Sequence, residues 1–577
     1  MKGILKYIRP YVPYISATVF IKTIASVTEL FIPLLLETII DNAVPEKDTA
    51  AIYFLGAAML LCALVCLALN FVANRMSAVS AGKITKSLRT DLFAKIGELS
   101  AAELDSLTIP SAVSRLTSDT YNINQMLARI QRIGIRGPIM LVGGIIITMS
   151  MDIVLSLVLV AMLPIISVVV YAVTKKSVPL YVESQTVLDG MVSTLRENIT
   201  GVRVIKALAK TEHEKQRFDS VNRRLYDVDR RVGSIMALTN PVSAAVLNIG
   251  LTMVVLLGAF RINSGAAEAG VIVAFLNYFT IILNAMLGVT RIFIMWSKGE
   301  ASAKRVSAVL EMRGGLDVDT TLPQNNSGAH IEFDRVSFSY NKISNNADNI
   351  SFKLYHGQTL GIIGATGSGK STVIKLLLRA YDPDSGCVRI DGRDLRSIEP
   401  KDLKSKCGVV FQNDFIMADS IYDNIRDFRD IDEKSIKKAA RIACADEYIE
   451  AYEDGYEHVL SQSGNDLSGG QRQRLLISRA LASDPEILIL DDASSALDYA
   501  TDAKFRKALA SEYSSTTSVI VTQRISSIMH ADLIIVLDEG KIAGIGTHAE
   551  LLCSCDIYKE IADIQLSVEG GGECGKS

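Results

Sequence analysis

Several protein classes are excluded by what the chain lacks. Its formal net charge is only −3 over 577 residues, so there is no global excess of Lys and Arg of the kind that binds nucleic acid. Its eight cysteines are scattered: Cys62 and Cys66 fall in an apolar run, and Cys553 and Cys555 have no second pair at zinc-ligand spacing. They read as buried or idle reduced thiols rather than as a metal framework. No short tandem repeat is present. Met1 to Tyr14 is mixed in character, and the apolar stretch after it is too long for the core of a cleavable signal peptide. Tryptophan occurs once, at Trp296, a position suited to an interfacial anchor.

Charge is also missing locally, and that absence organises the first half. With 49% hydrophobic residues and a mean hydropathy of +0.27, the chain concentrates its apolar residues in long runs. Six stretches are long and apolar enough to span a bilayer, near Tyr14–Ile40, Ile52–Asn74, Ile135–Ser150, Ile153–Thr174, Pro241–Arg261 and Val271–Trp296. Only Met151-Asp152 separates the third from the fourth, which predicts a tight hairpin. The connections at Met151-Asp152 and Ile262–Gly270 contain no Lys or Arg. The N-terminal segment carries Lys2, Lys6 and Arg9, and the two long connections are rich in Arg and Lys, from Arg75 to Arg136 and from Lys175 to Arg231. The positive-inside rule places both termini and both long connections in the cytoplasm.

Those connections have helical composition. Ile84, Leu88, Leu92 and Ile96 recur every four residues within Ala81–Ser100, and Val187–Leu225 is similarly helical and highly charged. Long helices that leave the membrane and turn back are expected, with tips near Leu104–Arg115 and Ala207–Glu214 able to touch a cytoplasmic domain. Polar residues inside the spans (Lys22, Glu29, Glu37, Asn277, Asn284 and Arg291) face a bundle interior or an aqueous pathway, or snorkel from span ends. The pathway reading and the snorkelling reading both stand for Lys22 and Arg291, which lie near span ends, and Glu29 is the residue expected to line the pathway.

The second half has the chemistry. Gly364, Ala365, Thr366, Gly367, Ser368, Gly369, Lys370 and Ser371 fit G-x-x-x-x-G-K-[ST], with an apolar strand before, Thr372 expected to bind nucleotide with them, and a helical pattern from Val373 onward. Glycines let backbone N–H groups curl round phosphate oxygens, and the helix N-terminus adds positive potential. Lys370 reaches the outer phosphates, and Ser371 can ligate Mg²⁺. Further on, Ile487–Asp491 is an apolar strand ending in a carboxylate, the element that holds Mg²⁺ beside a phosphate loop, usually through water. Between them lies Leu467-Ser-Gly-Gly-Gln471, a helix start with Ser468 as N-cap and Gly469 and Gly470 exposed.

In this order and spacing, these elements resemble the ATP-binding-cassette family. Gln412 after an apolar strand, Ser495-Ala-Leu-Asp498 and Val519–Gln523 complete the pattern in the second half. Leu88–Phe93, Ser114–Asp119, Arg196–Gly201 and Ser302–Arg305 resemble the membrane half of exporter-type half-transporters. The resemblance implies a polytopic α-helical membrane domain with six spans and long cytoplasmic extensions, joined to an α/β P-loop ATPase domain. Its expected boundaries are 1–312 for the membrane domain, 313–330 for a linker, 331–566 for the ATPase domain and 567–577 for a disordered tail. It further implies ATP and Mg²⁺ as cofactors, with Tyr340 stacking on adenine and with Ser371, Gln412 and Asp491 around the metal. Two ATPase domains would meet head to tail, so that Ser468, Gly469, Gly470 and Gln471 of one close over ATP on the other.

Two departures stand out. The family usually has Glu after the strand-end Asp, where this chain has Asp492, and His at the switch position, where this chain has Gln523. An Asp carboxylate is set back by roughly an ångström, a displacement that can cost on the order of a hundredfold in rate. Gln forms hydrogen bonds but does not carry a proton. With the signature segment intact, the expectation is a half-transporter whose own ATP site is degenerate and which completes the catalytic site of a different subunit. It would export small amphipathic substrates (drugs, lipids or peptides) across a bacterial plasma membrane. The alternatives are a homodimeric exporter and, in another class, an ATP-gated channel or regulatory subunit.

Overall fold

The computed structural model describes residues 2–325, 328–412 and 414–570, and the chain divides into two compact units, 1–97 with 107–312 and 98–106 with 313 onward. The first unit is helical. Its long elements include α1 (Val12–Thr38), α2 (Thr49–Glu98), α3 (Ile135–Met151), α4 (Ile153–Thr200), α5 (Thr239–Asn263) and α6 (Ala269–Leu310), with the charged helix Thr211–Ala237 in the stretch between α4 and α5. Among the described residues, five helices are long and apolar enough to cross a membrane, and a sixth apolar stretch, Ile153–Val168 at the start of α4, is shorter. Some side chains in the rest of the expected fourth span, up to Thr174, lie outside the described residues.

Helices α2 and α4 contain 50 and 48 residues. At about 1.5 Å per residue each is more than twice as long as the roughly 30 Å hydrocarbon core of a bilayer. The polar half of α2 stays helical because it keeps a buried stripe: Ala73, Ser77, Ala81, Ile84, Leu88 and Leu92 all face inward. Asp152 breaks α3 from α4. Its backbone is extended, and its Oδ1 accepts from the N–H groups of Val154 (2.8 Å) and Leu155 (3.0 Å), capping α4. Its Oδ2 accepts from Arg261 Nε at 2.7 Å, tying the hairpin to the end of α5. The hairpin therefore forms where the sequence predicts it, held by an ion pair to a residue 109 positions away.

Of the two readings of Lys22, the interior one fits the structure. Lys22 does not snorkel: it is buried, and its Nζ donates to Asn70 Oδ1 on α2. An ammonium with an amide oxygen in reach inside the bundle does not need the interface to satisfy it. The side chain of Arg291 lies outside the described residues. Elsewhere in this unit, the buried carboxylate of Asp119 accepts from Ser302 Oγ at 2.9 Å and from the guanidinium of Arg305, with Nε at 3.0 Å. Two sequence motifs far apart in the chain are thus one polar network.

The second unit is α/β. Strands β1 (Ile331–Phe338), β2 (Ala347–Leu354), β4 (Ser385–Ile390) and β5 (Arg393–Asp394) form an antiparallel sheet in the order β2-β1-β4-β5. Strands β3 (Thr359–Gly364), β6 (Cys407–Val410), β7 (Ile487–Asp491), β8 (Thr517–Val521), β9 (Leu533–Asp538) and β10 (Lys541–Gly546) form the second sheet, in the order β10-β9-β3-β8-β7-β6. All neighbours in it are parallel except β10. Every residue of β7, and all but the first of β3, is buried, as expected for parallel strands covered on both faces. One core, including Phe333, Leu360, Val373 and Ile489, joins the two sheets, and another packs helix residues such as Leu475 and Ile425 against Val410 and Leu488.

Residues 98–106, which overlap the first expected cytoplasmic tip, fold with this unit. Tyr381 Oη donates to Asp105, Gly314 N donates to Glu103 Oε1 at 3.3 Å, and Ala101 packs against the sheet core. Residues 313–325 and 328–330 form neither helix nor strand. The last helix, Asp556–Gly570, runs into the segment expected to be a structureless tail, because the chain before Gly570 has good helix formers and no breaker. Residues 571–577 lie outside the described residues.

Candidate nucleotide site

The candidate site lies at the carboxyl ends of β3, β7 and β8, where open α/β sheets bind ligands. Leaving β3, the chain turns through Ala365–Gly369 into α7 (Lys370–Leu377). Gly369 caps α7 with φ +98°, and a Cβ there would stand 2.5 Å from Asn346 O. A Cβ on Gly364 would meet Leu537 O at 2.1 Å. Glycine at both positions is therefore a steric requirement of the loop. We expect Gly369→Ala to weaken ATP binding at this site by more than about tenfold through backbone strain, measured by titrating a fluorescent ATP analogue.

The loop surrounds a cavity of about 280 Å³ lined by Asn346, Thr366, Gly367, Gly369, Lys370, Ser371, Thr372, Gln412, Asp491, Asp492, Val521, Thr522 and Gln523. Lys370 Nζ folds back onto the loop, donating to Gly364 O (2.8 Å) and Ala365 O (2.7 Å). Burial lowers its pKa, while Asp491 and Asp492 pull it back up. Ser371 Oγ lies 3.4 Å from Asp491 Oδ2. The Asp491 carboxyl is pushed up by burial, and the hydroxyl of Ser371 acts in the other direction. A divalent cation here would relieve that burial cost, so the donor set of Ser371, Asp491 and Gln412 suits Mg²⁺. The loop suits a polyphosphate: the N–H groups of Lys370 and Ser371, at the first turn of α7, have no intrahelical acceptor.

Asp492 stands in the left-handed region, φ +54°, and its N–H donates to Val521 O at 2.8 Å. That bond pins the residue after β7 against the end of β8, across the cavity from Lys370. Gln523 is exposed at the cavity rim. Ser368 is buried beneath the loop, outside the cavity lining, and Ala365 contributes its carbonyl. Tyr340 does not line the cavity. It stands edge-on to Phe338 and Tyr381, with Lys375 Nζ 5.2 Å from its ring centroid.

The segment Ser468–Gln471 is not part of this cavity. It starts α8 (Gly469–Leu481) with a capping box: Ser468 Oγ accepts from Gln471 N at 3.2 Å, and Gln471 Oε1 accepts from Ser468 N at 2.8 Å. Capping uses an oxygen lone pair, so the Ser468 O–H is left to donate. Ser468 and Gly469 are exposed. Asp498 likewise caps a helix, accepting from Thr501 N at 2.9 Å.

Two residues that sequence reasoning missed support the site. Asn346 lines the cavity, and its Oδ1 accepts from Tyr340 N at 3.2 Å. Gln565, on the last helix, donates to Gln523 O (2.8 Å) and accepts from Ile525 N (2.8 Å), fixing the backbone on either side of Arg524. Neither carries a local motif that would have found it.

Comparison with known proteins agrees with the fold. Residues 15–286 match the family described as ABC transporter transmembrane region, and residues 347–495 match the family described as ABC transporter. The chain is 33% identical to the ABC transporter ATP-binding protein YfiB of Bacillus subtilis, covering 100% of both chains. It is also 33% identical to the ABC transporter ATP-binding protein Rv1273c of Mycobacterium tuberculosis, covering 98% of both. A solved bacterial Atm1-family ABC exporter with ATP bound shares the fold, with a TM-score of 0.82 over 96% of this chain and 99% of that one, at 22% identity. The chain belongs to the ABC transporter family: it is an ATP-hydrolysing membrane transporter whose ATP- and Mg²⁺-binding domain is fused to its own membrane helices.

Proposed function

We propose that this chain is one subunit of a heterodimeric bacterial exporter, in which its own phosphate loop retains ATP and its Leu467–Gln471 segment completes the hydrolytic site of a different subunit. One observation carries the reading: Asp492 and Gln523 both line the cavity beside Lys370, while the helix start at Ser468 is intact and exposed. Hydrolysis needs a water oriented and deprotonated as its oxygen bonds to the γ-phosphorus and the bridging oxygen leaves with ADP. Asp492 offers that water a carboxylate set back by roughly an ångström. Gln523 offers a hydrogen bond without a titrating proton. Mg²⁺, held by Ser371 and Asp491 with Gln412 near, would neutralise phosphate charge at this site.

The membrane helices favour an amphipathic substrate. Glu29, the residue expected on the pathway, accepts from Arg136 Nη2 at 2.6 Å. The pair borders a cavity of about 300 Å³ whose wall also includes Met140, Ile281, Thr280 and Asn284. Apolar wall and ion pair together suit a molecule with both characters. Export in the outward direction is supported by the exporter fold and by cytoplasmic placement of the ATP site from the charge pattern.

The partner is tested by purifying the tagged chain from its native cell in mild detergent and identifying what accompanies it. A second, different half-transporter at one-to-one stoichiometry is expected. Recovery of this chain alone as a dimer, with ATPase activity matching the native membranes, would favour the homodimer instead.

A further inference from the structure

The start of β1 and the turns after β2 and β4 meet at one end of the antiparallel sheet. The register sets this: Ile331 pairs with Leu354 on one side and with Ile390 on the other. The residues just beyond those pairs, His330, His356 and Asp391, therefore project from the same sheet end. Their ligand-type atoms all lie within 4.8 Å of one another. Asp391 Oδ1 is 3.0 Å from His356 Nε2 and 3.9 Å from His330 Nε2. Ligands of a tetrahedral Zn²⁺ at about 2.1 Å stand roughly 3.4 Å apart, which falls between those two separations.

His330 supplies the second, independent observation. Its side chain is 1% exposed, and its Nε2 has no hydrogen-bond partner among the described residues. A buried imidazole nitrogen left unpartnered is costly unless something binds it. Its other nitrogen, Nδ1, lies 2.7 Å from Thr517 Oγ1. With Nδ1–H donating to that hydroxyl, Nε2 keeps a lone pair 3.9 Å from Asp391 Oδ1. This is the usual orientation of a metal-bound histidine, whose second ring nitrogen is held by an outer partner. The other carboxylate oxygen, Asp391 Oδ2, faces Lys406 Nζ at 3.4 Å, and Lys406 is held by Glu486 at 2.7 Å. One lysine between two carboxylates leaves the cluster with a net negative charge.

We propose that His330 Nε2, His356 Nε2 and Asp391 Oδ1 form a site for a zinc-type divalent cation, with water as the fourth ligand. Two imidazoles and a carboxylate suit Zn²⁺ rather than Mg²⁺, which prefers oxygen. The His330 and His356 rings are stacked, with centroids 3.8 Å apart. Binding requires the His356 ring to tilt out of that stack, and its 63% exposed side chain is free to do so. The bound cation would clip the central strand β1 to the ends of both its neighbours, a structural role separate from ATP hydrolysis.

The test uses the full-length transporter in detergent, carrying no polyhistidine tag and stripped with a chelator. Co²⁺ titration should give the visible bands of a four-coordinate N/O site, saturating at one ion per chain and displaced by Zn²⁺. His356→Ala and Asp391→Asn should each weaken binding by at least about tenfold, while ATP turnover in zinc-free buffer stays unchanged. Zn²⁺ should raise the thermal transition of the unmodified protein and not that of His356→Ala. Absence of a saturable Co²⁺ spectrum, or binding that both substitutions leave intact, overturns the proposal and leaves a stacked imidazole pair beside Asp391 only.

Discussion

Gly469→Asp in this chain is expected to lower ATP turnover of the assembled transporter by on the order of a hundredfold. Gly469 is the first residue of α8; in the proposed arrangement, the N–H groups and helix polarity there would favour the γ-phosphate of an ATP held by another subunit. A carboxylate there replaces an attractive potential with a repulsive one at the point where transition-state charge is greatest. The fold itself should tolerate the change. A Cβ on Gly469 meets only Ala496 Cβ, at 3.8 Å, which is ordinary van der Waals contact. Intact assembly with lost turnover is therefore the diagnostic outcome, read by size-exclusion chromatography alongside phosphate release. Normal turnover would mean that this segment completes no working site.

The second large effect concerns the partner. In the proposed heterodimer, replacing the other subunit's Glu base with Gln is expected to reduce turnover by at least about a hundredfold, within the range for losing a general base. That loss is large only if the site on this chain cannot compensate. Asp492 is the nearest substitute for such a base here, and its position is fixed by its own backbone: a left-handed φ and the bond to Val521 O hold it. The left-handed region is populated by Asp more readily than by most residues. The shorter acid is thus compatible with this turn, and its reach is limited by it. Steady-state ATPase of the reconstituted pair, with wild-type protein as reference, measures the loss.

Much of this architecture was legible because it is local. The phosphate loop needs glycine at 364 and 369 for reasons the motif already encodes, and the capping box at Ser468–Gln471 is set by residues three apart. The four-residue spacing of Ile84, Leu88 and Leu92 announced the helix beyond the membrane, and all three are buried. What stayed hidden depends on residues brought together only by packing. The two readings of Lys22, interior or snorkelling, were separable only once Asn70, on the next helix, supplied its acceptor. Arg261 as partner of Asp152, Arg136 as partner of Glu29, and Gln565 behind the switch loop are of the same kind. Tyr340 stands exposed beside the cavity lining, edge-on to Phe338 and Tyr381, with its N–H on the cavity residue Asn346.

The proposed asymmetry between two ATP sites is tested most directly by Asp492→Asn in the assembled, reconstituted transporter. The measurement is steady-state ATP hydrolysis under saturating Mg-ATP. A degenerate site predicts turnover within about twofold of wild type, since removing a carboxylate that does little chemistry costs little. A loss comparable to that caused by changing the partner's Glu base would contradict it, and would make Asp492 a working base.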